Sequence, residues 1–268
     1  MVAFTEYGDR PLLIVYDLET NKRRKILRCA EFKSHEVISL AFSHDSKYLL
    51  AQGSAPDFQL VYLFWEKGKV ITTSRTVTSA QASVTEVSFH PKDHDIVCII
   101  GRNTFRMCRL IEGERTNKIT LCKANDLKVY CILFSGILKP FGFLKGDQLV
   151  CYSHGWLSPR HVLVATERGK ILLFEDAELK STYAMEELTR SEEPDIEREA
   201  GAEAREVGAL IAYSGGFIAS YGQDMVFVFE QIASDTGEEF NFKCIKRIKF
   251  PKVLIILRYT NFTWLVCS

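Results

Sequence analysis

The chain has 268 residues and a mass of 30.6 kDa, the size of one large domain or two small ones. Hydrophobic residues make up 47% and charged residues 25% of it, which excludes a disordered or collagen-like protein. The 34 Lys and Arg residues balance the 34 Asp and Glu residues, so the net charge gives no support to a general attraction to nucleic acid or to anionic membranes.

Short runs rich in Val, Ile, Leu, Tyr and Phe recur along the chain between turns of Gly, Asp, Asn, Ser and Pro, which predicts an all-β protein. Residues 2–5 are predicted to be the second strand of a first unit. The clearest unit has predicted strands at 37–42, 48–52, 60–65 and 70–73, with turns at 43–46 and 66–68. The same order begins again at Val84, so the sequence predicts repeated units of four antiparallel strands.

The third strand of each unit is predicted to end in a bulky apolar residue followed by an acid. These pairs are Tyr16-Asp17, Trp65-Glu66, Ile111-Glu112, Phe174-Glu175 and Phe229-Glu230. The acids lie 46 to 63 residues apart, against a period of roughly 40 to 50 in β-propellers with four-stranded blades. We predict a β-propeller with about five blades, incomplete or part of a larger propeller, in which these pairs anchor the blades.

The two longest intervals between acids are attributed to insertions. One insertion is predicted at about 124–148. The other is the tract 186–206, which has nine acids, three arginines and almost no large apolar residue, and is predicted to be a flexible loop. The blades would then occupy residues 1–185 and 207–268.

The eight cysteines include no C-x-x-C pair, which argues against a zinc site of the finger kind. Most lie in apolar runs, as reduced thiols do in a reducing compartment. Charged residues follow Met1 closely, and apolar runs stop short of the roughly 20 residues that a membrane-spanning helix needs. We therefore expect a soluble intracellular chain without membrane insertion.

Catalytic motifs for nucleotide, serine-hydrolase or zinc-protease chemistry do not occur in the sequence. The group His90, Asp93, His94 and Asp95 is interpreted as a surface turn whose side chains diverge into solvent, rather than as a metal site. Cys151, His154 and His161 are interpreted as core packing rather than as a nucleophilic pair. We predict that the protein is not an enzyme and has no cofactor and no metal.

Two basic segments remain. Lys22, Arg23, Arg24 and Lys25 are predicted to lie in an exposed hairpin, where they form either a solvated turn or a contact to an acidic partner. In residues 243–249 cations alternate with apolar residues, which predicts an outer strand with one wet face.

Segments 41–52, 60–70, 87–101 and 211–230 resemble WD-repeat propellers. More closely, the chain from Val2 to about Phe250 resembles the amino-terminal propeller of the axonemal WD-repeat family named for cilia- and flagella-associated protein 57. The Trp-Asp dipeptide is absent from all five anchor pairs, whereas the acid is always kept. Segment 129–144 and the chain after Pro251 depart from the family pattern.

The resemblance implies a non-catalytic scaffold in the axoneme of motile cilia, which supports inner dynein arm assembly and ciliary beating. Its partners would be inner dynein arm and doublet-microtubule proteins, and its location the cytoplasm, the cytoskeleton and the cilium. Two alternatives stay open: a WD-repeat adaptor in a non-ciliary complex, and an enzyme built on a propeller.

Overall fold

The computed structural model of the chain describes residues 1–77, 82–111, 118–120, 128–132, 138–142, 149–190, 206–222, 224–232 and 240–250. These residues fall into two compact units, one within residues 1–148 and one within residues 149–256. Every strand pair in them is antiparallel and the only described helix has four residues, so the all-β prediction is confirmed. No helix in the described ranges is long and apolar enough to cross a membrane.

The first unit contains three large sheets in its described part. Sheet 1 is β1 (Val2–Glu6), β2 (Leu12–Asp17) and β3 (Lys22–Arg28); sheet 2 is β4 (Val37–Phe42), β5 (Tyr48–Gly53), β6 (Gln59–Phe64) and β7 (Lys69–Arg75); sheet 3 is β8 (Glu86–Phe89), β9 (Ile96–Gly101), β10 (Thr104–Ile111) and β11 (Lys118–Thr120). Strands β12 (Lys128–Ile132) and β13 (Leu138–Gly142) pair as a two-stranded sheet within the predicted insertion 124–148.

The second unit contains two four-stranded sheets. Sheet 4 is β14 (Cys151–Trp156), β15 (His161–Thr166), β16 (Lys170–Glu175) and β17 (Glu178–Ala184), followed by helix α1 (Met185–Leu188); sheet 5 is β18 (Leu210–Tyr213), β19 (Gly216–Tyr221), β20 (Met225–Ile232) and β21 (Asn241–Lys249). In both sheets consecutive strands are neighbours, which is the predicted order.

The strands predicted for residues 37–73 are confirmed, because β4 to β7 match them to within two residues at each end. The composition of each strand follows from its position in the sheet. Inner strands such as β5, β9 and β16 are continuous apolar runs and are buried on both faces, whereas outer strands such as β3 and β21 are largely exposed.

The core of each unit lies between its sheets. Apolar side chains of sheets 1 and 2 form one cluster in the first unit, and those of sheets 2 and 3 form another. In the second unit a single cluster joins sheets 4 and 5. Each inner sheet face is thus buried against a neighbouring sheet, as in stacked propeller blades.

Two predicted segments lie partly outside the described residues. The predicted acidic loop 186–206 begins within α1, and its residues 191–205 are outside the described part. Residues after Phe250 are outside it as well. The division of the blades at 185 and 207 stays a prediction.

Candidate protein-interaction surfaces

Three of the five predicted anchor pairs occupy the same place in their sheets. Opposite Tyr16, Phe174 and Phe229 the outer strand carries a β-bulge, so that one residue of that strand has no pairing partner. The bulged residues are Arg24 in β3, Lys180 in β17 and Ile245 in β21. The repeated aromatic residue therefore marks a repeated bulge, which the sequence pattern did not reveal.

Trp65 has a different place in sheet 2. The bulge of that sheet, at Ile71, adjoins Leu63, and Trp65 lies two residues further along the chain. Its buried indole N–H donates to the Ser46 carbonyl at 2.6 Å, and its ring meets Phe42 edge-on at 6.1 Å. Trp65 thus ties the β6–β7 turn to the β4–β5 turn.

The fifth pair lies at the edge of the described chain. Ile111 is the last residue of β10, and Glu112 is outside the described residues. Its anchoring role stays a prediction.

Whether the acid of a pair forms an ion pair within its own sheet depends on the residue at the bulge. In sheet 1 the Arg24 guanidinium donates to Asp17 Oδ2 at 2.7 and 3.1 Å, and the backbone N–H groups of Glu19 and Thr20 donate to Oδ1. Burial acts to raise the pKa of Asp17, but the Thr20 N–H, Arg24 and the Glu19 N–H outweigh it and hold that pKa below its usual value. Asp17 therefore closes the β2–β3 hairpin as a carboxylate.

Sheet 4 repeats this ion pair with different residues. The bulged Lys180 places its Nζ 3.3 Å from Glu175 Oε2, and Arg160 binds Oε1 of the same carboxylate at 2.9 Å. In sheets 2 and 5 the bulged residue is an isoleucine instead. There Glu66 and Glu230 are exposed, and neither forms an ion pair with any residue that the structure describes.

The predicted contact run Lys22 to Lys25 lies in a strand and not in a hairpin turn. Strand β3 begins at Lys22, because the turn is completed by Asn21, whose φ of 52° reverses the chain direction. Arg24 is engaged with Asp17, whereas Lys22, Arg23 and Arg28 are exposed and no ion pair to them occurs among the described residues. We call Lys22, Arg23, Lys25 and Arg28 the β3 surface.

The two turns with histidines in the first unit contact each other. His44 and His94 stack with ring centroids 6.4 Å apart, and Tyr48 lies 4.6 Å from the His94 ring. The expectation that all these side chains diverge into solvent is wrong for His90, which is buried. Its Nδ1 accepts the backbone N–H groups of Lys92 and Asp93, so the ring closes the turn.

Cys151 and His154 are buried, as the core interpretation predicts. His161 has a different role. The Ser158 hydroxyl accepts the backbone N–H groups of Arg160 and His161 and therefore donates its own proton to His161 Nδ1 at 2.8 Å. This leaves the N–H on Nε2, which faces Glu175 Oε1 at 3.6 Å.

This Ser158–His161–Glu175 series closes the β14–β15 turn. Burial lowers the pKa of His161, although Glu175 acts in the opposite direction, so the ring is neutral at pH 7. Arg160 and Lys180 hold the Glu175 carboxylate as well, and the serine hydroxyl is occupied by two turn amides. Sequence reasoning named Glu175 only as a predicted anchor and did not name Ser158; it missed their contacts with His161 because the three residues form no recognised motif.

The outer strand of sheet 5 is basic, and most of its side chains are exposed. As the alternating pattern predicts, Phe242 is buried while Lys243, Lys246, Arg247 and Lys249 are exposed, but the pattern is wrong for Ile245, which is exposed as well. Among His, Cys, Asp and Glu side chains in the described ranges, no group of three could hold a metal ion.

No protein-family model matches the chain. Over 254 residues it is 30% identical to cilia- and flagella-associated protein 57 of Mus musculus, which covers 84% of this chain and 18% of that protein. Over 112 residues it is 30% identical to cilia- and flagella-associated protein 57 C of Tetrahymena thermophila, covering 38% of this chain and 8% of that one. The chain thus spans less than a fifth of the length of these curated relatives.

Solved structures of propellers resemble the fold. The β-propeller domain of Cps50 (Swd1) from Myceliophteria thermophila has a TM-score of 0.60, with 12% identity over 91% of this chain and 70% of that chain. U3-55K has a TM-score of 0.53, with 11% identity over 92% of this chain and 78% of that chain. At such identities the likeness shows the fold alone. The chain is a homologue of cilia- and flagella-associated protein 57 with a WD40-type β-propeller fold.

Proposed function

We propose that the protein is a non-catalytic WD-repeat scaffold of the motile cilium, which supports inner dynein arm assembly and ciliary beating through protein–protein contacts. The observation that carries this proposal is the 30% identity over 84% of the chain to cilia- and flagella-associated protein 57. Its location would be the axoneme and the cytoplasm from which the axoneme is assembled.

The described residues suit such a role physically. Within each unit, stacked sheets with buried inner strands make a rigid support, and the links Asp17–Arg24 in the first unit and Glu175–Lys180 in the second hold outer strands against inner ones. Such a support holds the backbone of its outer strands in place, so little backbone conformational entropy is lost when a partner binds.

The β3 surface is the proposed contact to an acidic partner such as the doublet-microtubule surface. Lys22, Arg23 and Arg28 are exposed cations on one outer strand, and Lys25 lies over Gly68 of the β6–β7 turn. Complementary charge of this kind raises association rates and selects acidic partners.

The test is detergent extraction of ciliated cells that express the tagged chain. We expect the protein to stay with the axonemes, and the variant Lys22→Glu/Arg23→Glu to be released by salt more readily. Lys92→Glu/Arg102→Glu is the matched control, because it reverses two exposed charges elsewhere in the same unit. Absence of the wild-type chain from extracted axonemes would exclude the ciliary role and favour the non-ciliary adaptor.

A further inference from the structure

The outer strand of sheet 5 carries an exposed surface that internal packing does not explain. We call Lys243, Ile245, Lys246, Arg247 and Lys249 the β21 surface; all five side chains are exposed. The bulge at Ile245 breaks the in-and-out alternation of the strand between Cys244 and Lys246, and the three consecutive side chains from Ile245 to Arg247 are all exposed.

Equivalent positions in other sheets show what is unusual about Ile245. The bulged residues Arg24 and Lys180 each neutralise the acid of their own sheet. Ile71, the bulged isoleucine of sheet 2, is half-buried and packs against the core between sheets 2 and 3, whereas Ile245 is 49% exposed and forms no pair with Glu230. The exposed half of this large aliphatic side chain is apolar surface that a partner would remove from water.

The charge on the strand points to the chemistry of that partner. Strand β21 has four cations and no acid. Lys249 lies 3.9 Å from Asp224, and Arg247 donates to the Thr189 carbonyl. No ion pair or hydrogen bond engages the side chains of Lys243 and Lys246 in the part of the chain that the structure describes, so both remain available to external carboxylates.

The backbone of β21 suits an extended ligand. Sheet 5 has the order β18-β19-β20-β21, which places β21 at its edge within the described residues. Lysines on an edge discourage pairing with uncharged strands, and the same lysines attract a strand whose side chains are acidic.

We propose that the β21 surface docks an extended acidic segment of another protein. An aliphatic side chain of that segment packs on Ile245, and its flanking carboxylates face Lys243 and Lys246. An apolar centre with a charged rim is the usual anatomy of a protein interface. This inference rests on the proposed scaffold role and specifies the chemistry of one partner.

The test is fluorescence anisotropy with the full 268-residue chain and labelled octapeptides. The probe is (Glu-Val)4, compared with (Lys-Val)4, which reverses the charge, and (Glu-Gly)4, which removes the aliphatic groups. We expect (Glu-Val)4 to bind most tightly. Lys243→Glu/Lys246→Glu should weaken its binding by roughly tenfold and Ile245→Ser by roughly threefold, since charge and apolar contact both contribute.

The control is Lys22→Glu/Arg23→Glu on the β3 surface, which should bind (Glu-Val)4 as the wild type does. All variants change exposed side chains, and circular dichroism checks that each is folded. Loss of binding in the β3 variant but not in the β21 variant would overturn the proposal, as would equal binding of (Lys-Val)4.

Two further outcomes have distinct meanings. Self-association of the chain that Lys243→Glu/Lys246→Glu abolishes would assign the surface to a second copy and overturn the proposal. Binding of (Glu-Val)4 at the β21 surface by a chain that is absent from axonemes would support this inference and exclude only the ciliary role.

Discussion

Replacing Phe229 by alanine should destabilise the second unit by about 3–5 kcal/mol. The Phe229 side chain is fully buried between sheets 4 and 5, where its ring stacks on Phe217 with centroids 4.5 Å apart. It also lies 6.2 Å from the Phe227 ring. Several neighbours therefore lose contact when the ring is removed.

The magnitude has two parts. Transfer of a buried phenylalanine side chain from water contributes about 1.5–3 kcal/mol. The cavity accounts for the rest, because the strands around it are held by ladder hydrogen bonds and cannot collapse into the space. Stacking on Phe217 should appear as a coupling energy of about 0.5–1.5 kcal/mol in a double-mutant cycle with Phe217→Ala.

The assay is urea unfolding at 25 °C followed by circular dichroism. Ile232→Ala is the matched control, because it truncates a 44% exposed side chain on the same strand and should cost less than about 1 kcal/mol. Equal midpoints for Phe229→Ala and Ile232→Ala would refute the reasoning, since the stacked-sheet core requires a large difference.

Three other predictions concern titration and reactivity. Partial burial alone would raise the pKa of Asp45, but the Ser43 hydroxyl and Lys47 lower it to about 2. The ionised carboxylate therefore stabilises the fold fully above about pH 4, and this stabilisation is lost as the pH falls towards 2. In urea unfolding, Asp45→Asn should make the free energy of unfolding depend less on pH over this range. Burial lowers the pKa of His161, so the unfolded chain binds a proton below about pH 6.5 that the folded chain does not bind, and the protein should become less stable as the pH drops. Thermal melts of His161→Gln that keep this pH dependence would contradict the prediction. Burial, assisted by Glu31, raises the pKa of Cys29 to about 12, so iodoacetamide followed by peptide mass spectrometry should label the half-buried Cys244 well before Cys29.

The strands could be predicted because their signal is local. Alternating and continuous apolar runs between turn residues determine where β4 to β7 lie, and the predicted ends were right to within two residues. The repeated pairing of a bulky residue with an acid also indicated the propeller class before any contact was known.

Register could not be predicted, because it depends on contacts between strands. The bulges at Arg24 and Lys180 determine which acid is paired, and no spacing in the sequence encodes them. Trp65 matches the repeated pattern by residue type, but Leu63, two residues earlier, is the residue that adjoins the bulge of sheet 2. Similarly, Glu175 reaches His161 only because β15 and β16 pair at that point.

The two basic segments also show what the sequence predicts and what only the structure reveals. Their charge is visible in the sequence, whereas only the structure distinguishes Arg24, which is engaged with Asp17, from the exposed Lys22 and Arg23. The exposure of Ile245 likewise follows from a bulge that composition cannot indicate.

The central claim is that this chain is a scaffold of the ciliary axoneme. Cryo-electron tomography of doublet microtubules, from ciliated cells with and without the chain, tests it most directly. The account predicts density at the base of the inner dynein arms that disappears, together with some of those arms, when the chain is removed. Unchanged arms and no lost density on the doublet would contradict it.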